Sequence, residues 1–175
     1  MIEMMVAIFI IGILATMVFP RVMRKVPQSD WKTIEYDLNN LVFFARQEAI
    51  ANQRTYRLAF HAVTNGLDFV DIEEERQHPE KPQHKIYVPV SSYYFNTHYV
   101  FHGSVKLKAF YKGKKEVLEE QKGHAYIHVL SDGLVEDALI HVMRKIDNEE
   151  SGATFKMVPF FGKFDFFDGY QKPGR

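Results

Sequence analysis

The stretch MIEMMVAIFIIGILATMVFPRVMRK constrains this chain more than any other. From Met4 to Pro20 it carries no charge, and Glu3 is the one charged side chain ahead of Arg21. At about 1.5 Å per residue, a helix of that length reaches roughly 25 Å. That is the lower end of what crosses a hydrocarbon core of about 30 Å. The run is apolar all round, with Ile2, Val6, Ile10, Ile13, Leu14 and Val18 among its side chains, which excludes an amphipathic surface helix. A secretory signal peptide needs a basic start and a small-x-small cleavage site, whereas this chain starts with an acid and has no such site near ATMVFPRV. A membrane anchor remains, plain or with a further role. Glu3 bears on the choice, because a carboxylate near a bilayer is expensive unless paired and is a functional hint by default.

Arg21, Arg24 and Lys25 follow the run, and nothing basic precedes it. Taken literally, the positive-inside rule keeps the C-terminal part in the cytoplasm, and basic residues upstream would permit the opposite orientation. Residues 1–26 thus form one region, read as a transmembrane helix. Residues 27–175 form a second, long enough to bury a core. The formal net charge is zero, which argues against general nucleic-acid binding, since that needs a basic footprint. The absence of cysteine excludes disulfides, thiolate metal sites and a cysteine nucleophile.

Pro27 disfavours helical geometry at Val26, and Ser29 or Asp30 can cap a new helix. Lys32 and Thr33 stand where a capping box needs an acid or amide. From about residue 30 to 52 the pattern is helical. Trp31, Ile34, Leu38, Leu41, Val42, Ala45 and Ala49 recur mostly at spacings of three and four, with Lys32, Glu35, Asn39 and Arg46 elsewhere. This apolar stripe calls for a sheet to cover it. TYRLAFHAV and LDFVDIE then alternate as strands around Asn65-Gly66, a hairpin signal. EEERQHPEKPQH reads as an exposed loop. KIYVPV, HYVF, SVKLKAFY, EVLEE and HAYIHVL read as further strands. Ser131-Asp132-Gly133 marks a turn before EDALIHVMRK, 147–152 reads as a loop, and FKMVPFFGKFDFF as one or two aromatic strands. One long helix, bent near Pro20 to Pro27, followed by antiparallel strands indicates an α+β fold.

Two stretches resemble a known family. MIEMMVAIFIIGILA is similar to the start of a mature type IV pilin or pseudopilin, which reads Phe-Thr-Leu-Ile-Glu and then an apolar helix. Met1-Ile2-Glu3 matches the last three of those positions, with Met where Leu is usual. Pro20 falls where many pilins bend the same helix. LNNLVFFARQEAIANQRTYRLAF resembles the helix-to-strand passage of the H-type minor pseudopilins (the GspH/FimT class), with Ala45-Arg46-Gln47-Glu48-Ala49 carrying the match. LSDGLVEDALIHVM is similar to a late strand–glycine turn–strand of that class, while residues 61–122 resemble nothing in it. The family's leader, its terminal Gly and its Phe-Thr pair do not precede Met1. A start codon placed too late, or an engineered truncation, is the expected reason, and a prepilin peptidase is not expected to process the chain as written.

The resemblance implies a pilin-like fold, with a long N-terminal helix against antiparallel sheet. It implies a minor pseudopilin of a type II secretion system, held in the inner membrane with its domain in the periplasm and assembling into the pseudopilus. Glu3 and Pro20 would act in assembly, and Trp31, Ile34, Leu38, Leu41, Ala45 and Ala49 in helix–sheet packing. Partners would be other pseudopilins, the inner-membrane assembly platform and, with a leader present, the prepilin peptidase with its N-terminal methylation. A minor type IV pilin for pilus assembly or DNA uptake, or a membrane-anchored binding domain that never polymerises, are the alternatives.

Chemistry elsewhere reads as weak. His98/His102 and His124/His128 are four apart in strand-like sequence, which separates them by roughly 13 Å, too far for one zinc ion with bonds of about 2 Å. Asp132, Glu136 and Asp137 do not have the spacing of a calcium loop and read as a solvated turn. Lys106, Lys108, Lys112, Lys114 and Lys115 form a local basic patch, but Glu116, Glu119 and Glu120 follow, as in a hairpin with opposed charges across its strands. No phosphate loop, nucleophile elbow or dinucleotide fingerprint occurs. The expectation is a non-enzymatic protein with no cofactor and no metal.

Overall fold

A computed structural model of the protein describes residues 29–81, 83–146 and 149–173. Glu3, Pro20, Ile2, Val6, Ile10, Ile13, Leu14 and Val18 lie outside the described residues. The chain divides into two units, residues 1–33 and 34–175. Among the described residues of the first, Trp31 is buried. Helix α1 spans Ser29–Asn52. It ends because Gln53 turns to a positive φ of 52° and Arg54 N donates back to Ala49 O at 3.2 Å, a Schellman closure. The Gln53 amide supplies a second cap, donating to Ile50 O at 2.8 Å.

Ten strands follow: β1 (Tyr56–His61), β2 (Phe69–Gln77), β3 (Lys85–Pro89), β4 (His98–Val100), β5 (Val105–Lys112), β6 (Lys115–Glu116), β7 (His124–Val129), β8 (Leu139–Ile146), β9 (Glu149–Val158) and β10 (Lys163–Asp168). They form two antiparallel sheets. The first runs β3-β2-β1-β7, with β4 also on β2, and the second runs β10-β9-β8-β5-β6. Each has an apolar face, as period-two burial requires. Leu58, Phe60, Val70, Ile72 and Ile127 supply one, and Phe110, Ile140, Phe155, Met157 and Phe164 the other, all buried. Phe60 and Phe110 join the two faces with ring centroids 5.3 Å apart. On α1, Ile34, Leu38, Leu41, Val42, Ala45 and Ala49 form the buried stripe. The observed class is α+β, with one helix and antiparallel sheets among the described residues.

Several sequence expectations need correction. The run EEERQ is not loop: β2 continues through it, and Glu73 and Glu74 are buried. Cations meet these carboxylates, which is what makes burying charge tolerable. Arg57 Nε reaches Glu73 at 2.5 Å, Arg76 reaches Glu74 at 2.7 Å, Arg54 also pairs with Glu74, and Lys85 reaches Glu75 at 2.5 Å. EVLEE is mostly turn, because the Glu116 carboxylate accepts from Leu118 N at 2.9 Å and folds the chain back. Residues 149–152 belong to β9. FKMVPFFGKFDFF, read as one or two strands, is two, joined by a turn at 159–162, in keeping with that expectation. The β1–β2 connection runs from Ala62 to Asp68, and Asp68 organises it by accepting from Val63 N at 2.9 Å and Leu107 N at 2.7 Å.

Candidate interaction surface

Two features of α1 stand out, one polar and one aromatic. Glu35, Asn39 and Arg46 lie along one side of the helix. The Asn39 amide meets the edge strand β10 on both of its hydrogen-bonding groups. Phe164 N donates to Asn39 Oδ1 at 2.6 Å, and Asn39 Nδ2 donates to Phe164 O at 3.1 Å. Glu35 Oε1 accepts from Phe166 N at 3.3 Å. Helix side chains thereby occupy the row of donors and acceptors that an edge strand otherwise offers to another chain. Farther along, Arg46 Nε donates to Gly133 O at 2.8 Å and Nη1 to Phe161 O at 2.7 Å, tying the turn after β7 to the β9–β10 turn. Gly133 and Gly162 stand at positive φ of 84° and 60°. A Cβ on Gly162 would lie 2.5 Å from Arg46 Cδ.

The aromatic feature is a groove of about 730 Å³ between the outer side of α1 and the segment 94–100. Tyr36, Asn40 and Phe43 are its helix side, at spacings of four and three. Its opposite side is a loop at 91–96 that interrupts the edge of the first sheet between β3 and β4. The neck of the loop is pinned at one residue: Val90 N donates to Ile72 O at 2.8 Å and Ile72 N to Thr97 O at 3.0 Å. Thr97 Oγ1 donates to Val90 O at 2.7 Å and closes it. Ser92 Oγ accepts from Tyr94 N and Phe95 N, at 3.2 and 3.3 Å, and shapes its tip. The tip holds Tyr93 and Tyr94 at 98% and 89% exposure, close to the maximum for a ring on a folded chain. Phe95 folds inward onto Phe44, ring centroids 4.9 Å apart.

Within the groove, Asp37 is partly buried. Desolvation raises its pKa, with His102 pulling it back. The Tyr99 hydroxyl is pushed up to about 12 by burial and then by the Asp37 charge. His98, on the rim, is held by Asp71 at 2.6 Å. The loop's sequence, SSYYFN, carries its own signal in Ser92 and Asn96, which accept backbone donors within the loop and at its exit. The strand reading on either side passed over it.

The remaining sequence-predicted groups are dispersed. His98 is in β4 and His102 beyond it, and His124 and His128 lie along β7. His124 Nδ1 instead meets His61 Nδ1 across the β1–β7 pair at 2.9 Å. Burial lowers the His61 pKa, followed by the His124 charge. Glu136 turns away from Asp132 and toward Lys112 and His128, at 2.7 and 2.9 Å. Asp132 caps its own turn at Leu134 N. Among the described residues no three histidines or carboxylates converge as a metal site would require. The basic patch is not balanced across its hairpin as expected: Lys112 stands opposite Lys115, and their carboxylate partners are Glu136 and Glu120. No helix of the described residues is long and apolar enough to cross a membrane.

No protein-family model matches the sequence, and no curated protein matches it. The fold is similar to that of a solved structure, the minor pseudopilin EpsH from the Type 2 Secretion System of Vibrio cholerae. The TM-score is 0.52 at 11% sequence identity, over 79% of this chain and 97% of that chain. At such identity the likeness is one of fold, and this chain has a pseudopilin-like fold, consistent with the H-type resemblance of the ARQEA passage.

Proposed function

We propose that the chain is a minor pseudopilin subunit of a type II secretion system. The observation that carries this reading is the likeness of fold to a minor pseudopilin over nearly the whole of that protein, 97% of its chain. The sequence ahead of the fold supports it, since an acid, an apolar run and a proline at Glu3, Met4–Phe19 and Pro20 follow the pilin pattern.

In this reading the segment from Ile2 to about Val22 holds the subunit in the inner membrane, with its domain in the periplasm, and then enters the filament core. Glu3 pairs with the N-terminal amine of a neighbouring subunit. In a low-dielectric core, leaving that carboxylate unpaired is costly enough to set the register between helices. Pro20 takes the place of the proline that bends this helix in many pilins. Ile34, Leu38, Leu41, Ala45 and Ala49 hold the helix to the sheets. The work of the molecule is assembly rather than catalysis, with other pseudopilins and the inner-membrane platform as partners.

The test is expression with a leader ending in Gly-Phe-Thr ahead of Met1, beside a prepilin peptidase and the other pseudopilins. Mass spectrometry should find cleavage after that glycine and a methylated N-terminus, and the chain should enter the filament fraction. An uncleaved chain that stays out of filaments is incompatible with the proposal.

A further inference from the structure

The groove between α1 and the segment 94–100 has a chemistry that the assembly role does not use. Tyr36 and Phe43 on one wall and Tyr94 and Phe95 on the other are all more than half exposed. They share the groove's lining with a carboxylate, Asp37, on the helix side. Among the described residues no side chain hydrogen-bonds or ion-pairs with it. No lysine or arginine lines the groove, the imidazole on its rim, His98, is already committed to Asp71, and His102, outside the lining, acts on Asp37 through its charge without a hydrogen bond. Ring faces attract cations through their quadrupole, and a partly desolvated carboxylate with no hydrogen-bonded partner is favoured in its charged form by an opposite charge brought close to it.

We infer that this groove docks a partner protein through an extended segment bearing an arginine or lysine flanked by apolar residues, the cation seated on Asp37 between the aromatic walls. The apolar flanks cover Phe43 and Phe95, and Asn40 and Asn96 offer hydrogen bonds to the bound backbone. The loop neck at Ile72 and the Phe44–Phe95 contact hold one wall in place before binding, which limits the ordering cost. A lipid surface is the poorer fit, because a groove whose charged group is a carboxylate is repelled by anionic headgroups.

The experiment uses the full chain in detergent micelles and three labelled peptides: Gly-Leu-Arg-Leu-Gly, the same peptide with citrulline for arginine, and the same with glutamate. Binding is followed by backbone amide NMR. The arginine peptide should shift resonances of 36–44 and 94–100 and bind roughly tenfold or more tightly than the citrulline peptide. Asp37→Asn, checked for an unchanged melting temperature, should erase that difference. Equal affinity for arginine and citrulline peptides in the unmodified chain overturns the proposal without reliance on any variant. Shifts confined to other surfaces overturn it too. So does binding to phosphatidylglycerol vesicles that Tyr94→Ser abolishes and the arginine peptide does not compete for.

Discussion

Arg46 Nε donates to the carbonyl of Gly133 at 2.8 Å across 87 positions of sequence. The contact joins the two stretches whose patterns resemble one family, ARQEA on α1 and SDG at the turn after β7. The same guanidinium reaches Phe161 O at 2.7 Å, so one side chain fixes where two turns lie against the helix. Removing it leaves two carbonyls without their charged donor. Hydrogen bonds to charged groups contribute about 1.5–3 kcal/mol each when buried. Because Arg46 is half-exposed, Arg46→Ala is expected to lower stability by about 1–3 kcal/mol in all. Urea unfolding followed by circular dichroism measures this, with Gln47→Ala, an exposed neighbour, expected to change little.

The glycine beside Arg46 gives a sharper test of the same clamp. Gly113 and Gly162 have nearly the same φ, 61° and 60°. A Cβ at Gly113 meets nothing within 4 Å, whereas one at Gly162 lies 2.6 Å from Arg46 Nη1. Gly113→Ala should therefore cost only the left-handed strain, about 1 kcal/mol, and Gly162→Ala should cost more by displacing the guanidinium. In an Arg46→Ala background the two glycine variants should become equivalent, which a double-mutant cycle reads directly.

Helix α1 was legible because its apolar spacing is local. The polar positions Glu35, Asn39 and Arg46 were visible as well, but not their purpose. Their partners Phe166, Phe164 and Gly133 are 131, 125 and 87 positions away, beyond any periodic pattern. The acidic run in β2 read as loop because only tertiary pairing with Arg54, Arg57, Arg76 and Lys85 makes a strand of it. The aromatic loop at 91–96 went unread because it breaks the edge of a sheet instead of lying between two paired strands.

Asn39 blocks a strand edge, which makes its loss measurable at a single amide. Asn39→Leu keeps the branched shape and removes both bonds to Phe164. The Phe164 amide should exchange with deuterium much faster, and stability should fall by about 1–3 kcal/mol for the buried groups left unpaired. Unchanged protection at Phe164 would mean that another group caps this edge.

Glu136 gives the fold an acid limit. Burial alone would raise its pKa, but bonds from His128 and Lys112 outweigh burial and pull it from 4.5 to about 2. Because the folded value is the lower one, ionised Glu136 stabilises the fold above about pH 4.5, and that contribution is lost as pH falls toward about 2. Glu136→Gln should flatten the dependence of melting temperature on pH within that window and leave its shape above it unchanged.

In the proposed role this chain assembles through its N-terminal helix by way of Glu3. The direct measurement compares filament incorporation of the leader-bearing chain with that of its Glu3→Ala variant, alongside the melting temperature of each. The variant should melt like the parent and be severalfold depleted from isolated filaments. Equal amounts of the two in the filament fraction would contradict it.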